Sequence, residues 1–363
     1  MEYTDMIKRK AVRTTLSILA IGVIALGSCK KEDPIEPIEP VDPTPVAYDI
    51  SGTTWNDIHP NPSYRITALG TSNSYIVATI MSFFEFNYLY NGSSFTTSDQ
   101  LGSSFGTTTS YGIDNIVHSN GSVYGVGTLG SGNVFTFNGS NTSAPWSIDE
   151  AIGTGVNSIV SSGGNKIIGC SVAPFIRTNA GGSFAELGAG FDNDVRALIE
   201  FNGDIIAAGD FVNSDATLVN HIARWDGAAW VALDQGLSGN VADLVIYNGQ
   251  LVALGSFNSS GAGDSNCECV AVWNGTTWSG LDTGLDGFQG ATGLVHNSEL
   301  IVGGSFNGGS SISSPNIIKW NGTQWEALAG GVLDPVAEMA ILNNKLYIAN
   351  NIGAATNFLY RLD

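Results

Sequence analysis

The stretch "WNGTTW", residues 273–278, places two tryptophans around a short polar turn. The pattern also occurs as "WDGAAW" at 225–230 and as "WNGTQW" at 320–325, at intervals of 48 and 47 residues. Asn-Gly between alternating apolar runs is a strong β-hairpin signal, because both residues tolerate a positive φ. A hairpin that recurs at this interval predicts a chain built from repeated β units.

Two independent series of turn signals give the number of units. The first series, with weaker copies included, has its anchors at Ser51, Asn91, Asn138, Asn179, Asp226, Asn274 and Asn321. The second consists of turn residues before an apolar pair, at Asn73, Asn120, Gly164, Asn202, Asn248, Asn297 and Asn343. Each unit contains four short strand-like segments, such as "VADLVIY", "LVALG", "CVAVW" and "TWSGL". Four-stranded units of this length are typical of propeller blades.

The two ends of the repeat region are each incomplete. Residues 51–58, "SGTTWNDI", match only the fourth strand of a unit, whereas 357–363, "NFLYRLD", end the last unit at its third strand. A ring leaves no free sheet edge if these ends complete one another. The sequence therefore predicts an all-β fold over residues 51–363. It is a seven-bladed β-propeller of four-stranded blades, in which residues 53–58 pair beside 357–361.

The motifs also resemble known propeller families. Gly303-Gly304-Ser305-Phe306, followed by paired aromatic residues, resembles kelch and galactose-oxidase-type repeats. The hairpin motif is similar to the "WNGxxWxxL" propeller repeats of bacterial surface proteins. The resemblance implies the propeller fold. All eight tryptophans occupy repeat positions, which predicts that they pack between blades. It does not imply copper chemistry, because the cysteines and histidines are not placed as a galactose-oxidase site requires.

The N-terminal residues are typical of an export signal. A basic segment, 8–13, precedes an apolar run, 16–27, which is short for a membrane span. Leu26-Gly27-Ser28-Cys29 resembles the lipobox of bacterial lipoproteins, which implies cleavage after residue 28 and acylation of Cys29. The alternative is an ordinary secretory signal with an unrelated cysteine.

Residues 29–50 are predicted to form a tether behind the lipidated cysteine. Proline recurs at every third position from Pro34 to Pro43, which favours an extended polyproline II spacer. Lys31-Glu32-Asp33 is similar to the surface-export signal of some outer-membrane lipoproteins. We therefore expect an outer-membrane lipoprotein displayed at the cell surface, with the lipid anchor as its sole contact with the membrane.

The charge balance excludes one class of partner. Residues 51–363 carry 25 acidic and 8 basic side chains, so the basic footprint that nucleic-acid binding requires is missing. Gly contributes 46 residues and charged residues only 13%, a composition that suits short strands joined by tight turns. We expect a monomer without a resident cofactor, although acidic loops make calcium conceivable.

The long connections of the repeat are predicted to share one face of the disc, here called the long-loop face. It contains the links from second to third strand within a unit and from one unit to the next. Function concentrates on variable loops held by a rigid scaffold. Arg65 and Arg196 begin two first strands near the channel mouth. The candidate ligand contacts on this face are His59, Tyr64, Arg65, Phe105, Tyr111, Arg196 and Phe288.

Acidic and sulfur-containing residues supply the remaining candidates. Asp192, Asp194, Asp282 and Asp286 offer oxygen ligands that suit calcium, but no calcium-loop spacing is present, so solvated charge is the favoured interpretation. Cys267 and Cys269 could form a strained local disulfide or remain two free thiols.

Two functions fit these observations. The favoured one is a non-catalytic surface lipoprotein that binds a glycan or a protein through the long-loop face. The alternative is an extracellular propeller enzyme, a glycosidase or lyase acting on polysaccharide. Hydrolysis would require a pair of carboxyl groups, one on each side of the glycosidic bond, and no motif in the sequence brings such a pair together.

Overall fold

The computed structural model describes residues 48–50, 53–57, 65–72, 75–81, 85–90, 93, 95–98, 115–119, 122–127, 133–137, 146–152, 155–349 and 359–363. The predicted signal peptide, Cys29 and most of the tether lie outside these residues. Within the described ranges, no helix has the length and apolar character needed to cross a membrane.

The first three sheets are antiparallel meanders of consecutive strands. The first sheet comprises β3 (Arg65–Ser72), β4 (Tyr75–Met81), β5 (Glu85–Tyr90) and β6 (Phe95–Ser98). The second comprises β7 (Asn115–Ser119), β8 (Ser122–Gly127), β9 (Asn133–Phe137) and β10 (Trp146–Ala151). The third comprises β11 (Val156–Ser162), β12 (Asn165–Cys170), β13 (Ile176–Thr178) and β14 (Ala185–Glu186).

Three further meanders follow, two of them with extra strands in their long loops. The fourth sheet comprises β15 (Val195–Phe201), β16 (Asp204–Gly209), β19 (Ile222–Trp225) and β20 (Trp230–Ala232), with the ribbon β17 (Asn213–Ser214) and β18 (Thr217–Leu218) in its loop. The fifth comprises β21 (Asn240–Tyr247), β22 (Gln250–Ser256), β23 (Val270–Trp273) and β24 (Trp278–Gly280), with a short 3₁₀ helix at Ser265–Cys267. The sixth comprises β25 (Leu285–His296), β26 (Glu299–Gly309), β28 (Ile317–Trp320) and β29 (Trp325–Ala327), with β27 (Ile312–Ser313) against β26.

A further sheet, here called the closing sheet, joins strands from both ends of the described chain. Its members are β1 (Tyr48–Ile50), β2 (Thr53–Asp57), β30 (Glu338–Leu342), β31 (Lys345–Ala349) and β32 (Leu359–Leu362). The order is β1-β2-β32-β31-β30, and Trp55 lies opposite Leu362. The predicted pairing of the two chain ends is therefore confirmed for the described residues.

The outermost strand of the closing sheet is β1. Residues 48–50 were assigned to the tether, yet Tyr48 pairs with Trp55 and Ile50 with Thr53. Without β1, β2 would be an edge strand with a row of unpaired backbone groups. β1 therefore gives β2 a paired neighbour on its outer side, and the tether over residues 29–50 stays a prediction.

The first strands of the sheets surround the centre. β3 packs against β7, β7 against β11, β11 against β15, β15 against β21, β21 against β25, β25 against β30, and β30 against β3. The predicted all-β propeller class is confirmed.

The two kinds of hairpin are stabilised in different ways. Between first and second strands, both turn residues have a positive φ, as at Asn202 (53°) and Gly203 (86°), which the sequence predicted. Between third and fourth strands, only the glycine does, as at Gly275 (103°). There the Asn274 side chain accepts backbone N–H bonds from Thr276 and Thr277, both at 2.9 Å. The Asn274 side chain thus stabilises this turn as a hydrogen-bond acceptor. The Asp226 side chain does the same by accepting the backbone N–H bonds of Ala228 and Ala229.

The tryptophans of the fourth strands connect adjacent sheets. The indole N–H of Trp230 donates to the Leu187 carbonyl, Trp278 to Leu233 and Trp325 to Leu281, at 3.1, 3.1 and 3.2 Å. Each acceptor directly follows the fourth strand of the preceding sheet. The predicted packing role is confirmed for the six tryptophans from Trp225 to Trp325, which also contact one another in pairs. The side chains of Trp55 and Trp146 lie outside the described residues.

Replacing Trp278 by Phe should destabilise the protein by about 1–3 kcal/mol, because the Leu233 carbonyl loses its donor inside a packed interface. Trp278 is 4% exposed. Trp273→Phe is the matched control, since Trp273 is partly buried and its indole N–H has no protein acceptor. Chemical denaturation measures both, and equal losses of stability would contradict the assignment.

Candidate functional site

β-bulges shape the wall of the central channel. The register shifts by one residue between Val156 and Ser158 in β11, between Val195 and Ala197 in β15, and between Val241 and Asp243 in β21. A bulge bends the strand and redirects the side chains around it. The repeated bulges thereby bring polar side chains of the first strands to the channel.

The channel contains a cavity of about 480 Å³ between the first strands of the sheets. Its aliphatic lining includes Leu69, Leu244, Leu294 and Met339. Its polar lining consists of Asn115, Ser158, Arg196, Asp243, Thr292 and Glu338. The cavity therefore combines an aliphatic wall with polar groups from several sheets.

Asp243 connects two sheets from inside the channel. One carboxylate oxygen accepts the N–H of Leu244 at 2.8 Å, and the other accepts the N–H of Gly293, in β25, at 2.9 Å. Burial raises the pKa of Asp243 to about 6, although both N–H groups favour the charged form. The side chain is therefore a fixed acceptor that joins the fifth sheet to the sixth.

Glu338 carries the second carboxyl group of the channel, and no backbone N–H group of the described residues donates to it. Burial, followed by the negative charge of Asp243, raises its pKa to about 8. No hydrogen bond or ion pair is made by its carboxyl group. A carboxyl group in this setting keeps its proton at neutral pH until a cation or donor approaches.

The sequence contained a signal for these two acids that the motif search missed. Val241-Ala242-Asp243-Leu244 and Val336-Ala337-Glu338-Met339 share one pattern, in which an acid interrupts an apolar first strand. A carboxylate at an otherwise apolar strand position requires a partner or a function. Aligning the two segments places both acids at the same position of a first strand, and the first strands surround one channel.

Arg196 lines the channel, where the sequence analysis placed it. Its guanidinium group donates twice to the Asp210 carboxylate, at 2.6 Å for each bond, and its side chain is 46% exposed. The bidentate pair raises the pKa of Arg196. Burial and the charge of Asp210 also raise the pKa of Asp194. Since Asp210 already neutralises Arg196, the predicted role as an anion contact remains a prediction.

The other predicted ligand contacts are not brought together by the described residues. Arg65 begins β3 and Phe288 lies in β25, but their side chains are outside the described part of the structure. His59, Tyr64, Phe105 and Tyr111 lie outside it altogether.

The predicted calcium ligands fall on two separate sheets. Asp192 accepts backbone N–H bonds from Val212 and Asn213, at 2.8 and 3.1 Å, and its other oxygen accepts the Asn213 amide. These bonds connect two loops of the fourth sheet and lower the pKa of Asp192. Asp282 lies in the loop between β24 and β25, and Asp286 is the second residue of β25. Across the described ranges, no three His, Cys, Asp or Glu side chains are grouped to hold a metal.

Cys267 and Cys269 are free thiols, which decides between the two alternatives. Both are buried, and burial raises the pKa of Cys267 to about 11. Cys269 directly precedes β23, has a positive φ of 60° and donates its N–H to the Phe257 carbonyl at 2.9 Å. Both cysteines therefore pack inside the long loop of the fifth sheet, and the raised pKa of Cys267 disfavours its thiolate form.

Exposed aliphatic side chains concentrate on the long-loop face. Among described residues, the most exposed is Leu333, at 78%, in the loop between β29 and β30. The others in long loops are Val172, Val212, Leu218 and Ile312, at 55%, 36%, 58% and 38%. Outside these loops, Ile246 and Val295 are exposed near the hairpin ends of β21 and β25, at 41% and 40%.

Replacing Glu338 by Gln should change how stability depends on pH. Between the ordinary pKa of 4.5 and the raised value of about 8, the folded state holds a proton that the unfolded chain releases. Stability therefore falls as pH rises through this window and levels off above it. The variant cannot lose that proton, so its melting temperature relative to the native protein should rise from pH 5 to pH 8.

Asp286→Asn is the control for this experiment, because it removes one negative charge from an exposed position. Its melting temperature relative to the native protein should change little over the same range. A difference for Glu338→Gln that stays constant from pH 5 to pH 8 would contradict the assigned environment.

Comparisons with known proteins bear on the fold. No family model matches the chain, and no curated protein does, so the kelch-like character of the repeats remains a prediction. Solved structures do match. A chain from the crystal structure of the mitotic checkpoint complex is 14% identical with a TM-score of 0.56, covering 93% of this chain and 99% of that one.

Two other solved structures match over most of their length. The WD40 β-propeller domain of Doa1 is 12% identical with a TM-score of 0.52, covering 86% of this chain and 97% of that one. YCF48 bound to a D1 peptide is 12% identical with a TM-score of 0.53, covering 85% of this chain and 94% of that one. Likeness at this level of identity shows that the chain has a β-propeller fold.

Proposed function

We propose that the chain is a non-catalytic binding protein whose long-loop face docks a protein partner. The observation that carries this proposal is the concentration of exposed Val, Leu and Ile side chains in the long loops. Exposed aliphatic side chains on loops that share one face can supply the apolar contacts of a protein interface. Glycan sites more often present aromatic rings and planar polar groups. The aliphatic lining therefore favours a protein over the glycan that the sequence also allowed.

The loops that present these residues are held by the scaffold. Ser214 donates to the Gly190 carbonyl at 2.7 Å, and Asn316 donates to the carbonyls of Val332 and Leu333 at 2.9 and 3.1 Å. These bonds connect the loop inside a sheet to the loop between sheets. A surface ordered before binding loses little conformational entropy on association.

Two of the structurally similar chains come from assemblies. One belongs to the mitotic checkpoint complex, and the other, YCF48, is bound to a D1 peptide. The comparison supports protein binding as a use of this fold, whereas the site and partner of this chain rest on its own loops.

The finer architecture belongs to the same proposal. The six meander sheets are six blades, and we take the closing sheet as the seventh. In support, β30 packs against both β25 and β3. A surface-displayed binding protein benefits from this closure, because β2 covers the edge that β32 would otherwise present.

The proposed location is the outer membrane, with the propeller at the cell surface on a tether from acylated Cys29. The lipobox-like segment before Cys29 supports the anchor. Cys29→Ser should abolish palmitate incorporation and move the protein from the membrane to the soluble fraction. Retention of the label in that variant would contradict the anchor.

Site-specific cross-linking on intact cells tests the docking face. A photoreactive residue at position 218 or 333 should give adducts of discrete mass with a protein, because both side chains project from the long-loop face. The matched controls are positions 246 and 295, which are exposed near the hairpin ends. Adducts that are equal at all four positions, or confined to 246 and 295, would contradict the proposal.

The polysaccharide-cleaving enzyme remains a second candidate, because two carboxyl groups, those of Asp243 and Glu338, line the channel. Asp243, however, is occupied by two backbone N–H groups. Release of reducing ends by the native protein, lost in Glu338→Gln, would favour the enzyme.

A further inference from the structure

A second cavity, here called the hairpin-end cleft, lies between the fourth and fifth sheets. Its volume is about 450 Å³, and the turn residues Asn202, Gly249 and Gly275 are part of its wall. Its lining shares no described residue with the channel cavity or with the exposed aliphatic residues of the docking face. The lining side chains that could contact a ligand are Phe201, Asp204, Arg224, Asp234, Gln250 and Trp273.

The size of one side chain keeps this junction open. Phe201 ends β15, and the corresponding residue of the next sheet is Tyr247, which ends β21. The Tyr247 hydroxyl reaches across the junction between the fifth and sixth sheets, to 3.5 Å from the position that a Cβ at Gly322 would take. The equivalent position at Gly275 has no atom within 4 Å. Phe201, which lacks the hydroxyl, therefore leaves open a space that Tyr247 fills at the next junction.

An aromatic ring forms part of the wall of the hairpin-end cleft. Trp273 is partly buried against Trp278, with ring centroids 5.3 Å apart, and it also lines the cleft. The indole N–H of Trp278 donates to the Leu233 carbonyl, whereas that of Trp273 has no acceptor among the described residues. Trp273 therefore offers an apolar ring and an unused donor at one place.

The polar side chains of the cleft place donors beside acceptors. Arg224 donates one N–H to Asp204 at 3.0 Å, which leaves further guanidinium donors and the second Asp204 oxygen available. The side chains of Asp234 and Gln250 make no hydrogen bond or ion pair with any described residue. The cleft thus combines two carboxylate acceptors, guanidinium and indole donors, and an amide that both donates and accepts.

We propose that the hairpin-end cleft binds a neutral saccharide, with one sugar ring against Trp273 and its hydroxyl groups bonded to Asp204, Arg224 and Gln250. Each sugar hydroxyl both donates and accepts hydrogen bonds, so a row of hydroxyls matches donors and acceptors that lie side by side. The C–H groups on one face of a pyranose ring supply the apolar surface that packs against an aromatic ring. This site goes beyond the proposed docking function and does not depend on it.

The same lining disfavours other ligand classes. An ammonium group has no acceptor for the indole and guanidinium donors, and an anion would meet the carboxylates of Asp204 and Asp234. An apolar ligand would remove these charged groups from water without giving them partners, which is costly. A divalent metal is disfavoured because the described residues contain no group of three His, Cys, Asp or Glu side chains placed to hold one.

An NMR titration of the full-length protein at pH 7 tests the site with four probes, the methyl glycosides of D-glucose, D-galactose, D-mannose and N-acetyl-D-glucosamine. At least one should bind with a dissociation constant on the order of 1 mM, reasonable for about 15 non-hydrogen atoms. Three control ligands represent the other classes: n-butylammonium, acetate, and N-acetylalanine methylamide for the peptide group. Each should bind at least tenfold more weakly than the best glycoside.

Paired variants locate the binding. Trp273→Phe keeps a ring but removes the N–H donor, so it should weaken glycoside binding by about threefold to tenfold. Trp225→Phe makes the same change at the preceding junction, outside the cleft, and should leave the affinity within twofold. Gln250→Ala should also weaken binding by about threefold or more, whereas Gln235→Ala, which removes an exposed side chain outside the cleft, should not.

Phe201→Tyr tests the shape of the cleft without removing any of its polar groups. It should place a hydroxyl in the space that Tyr247 fills at the next junction, and so weaken binding at least tenfold. Retained melting temperatures verify that the variants are folded. Three results would overturn the proposal: no measurable binding of any of the four glycosides, equal binding of a control ligand, and unchanged affinity in folded Trp273→Phe and Phe201→Tyr variants.

Discussion

β2 and β32 come from opposite ends of the described chain and form one antiparallel ladder, in which Trp55 faces Leu362, Asn56 faces Arg361 and Asp57 faces Tyr360. Every other sheet is built from strands adjacent in sequence and needs no such long-range contact. The closing sheet lies between β25 and β3 through its first strand, β30. If β2 did not pair with β32, β32 would present an open edge, and the ring would be held at that point by side-chain packing alone.

Closure also positions the channel. Glu338 is the first residue of β30, in the closing sheet, and Asp243 joins the fifth sheet to the sixth through the Gly293 N–H. The cavity between them requires the first strands to surround a common centre. The tryptophan bonds, each from one sheet to the carbonyl after the preceding sheet, add a repeated contact away from the centre. A distributed set of neighbour contacts is how repeat proteins obtain cooperative stability.

The repeats made most of the fold predictable, because each unit contains the turn residues that mark its hairpins. The Asn-Gly turns and paired tryptophans of residues 225–325 identify the hairpin ends, and the half-repeats at the two ends identify closure. The extra strand β1 was missed because "YDI" is too short to show a strand period. The side-chain role of Asn274 was missed because a turn motif gives the residue type and not the direction of its bonds.

The candidate site was less predictable. Arg196 was placed at the channel by its position at the start of a first strand, but its pairing with Asp210 depends on a residue 14 positions away. Asp243 and Glu338 are 95 residues apart and meet only because the sheets surround one centre. The exposed aliphatic residues of the loops follow no repeat, so three-dimensional placement was required to see that they share a face.

Hydrogen–deuterium exchange of the full chain, with and without Asn56→Pro, tests closure most directly. Proline in β2 removes a backbone donor and is poorly tolerated in a strand paired on both sides. Closure by β2 predicts slow exchange in Thr53–Asp57 and Leu359–Leu362 of the native protein, comparable to the fifth sheet. In the variant, exchange should accelerate in both segments together. Fast exchange of Thr53–Asp57 in the native protein, or an unchanged Leu359–Leu362 in the variant, would contradict it.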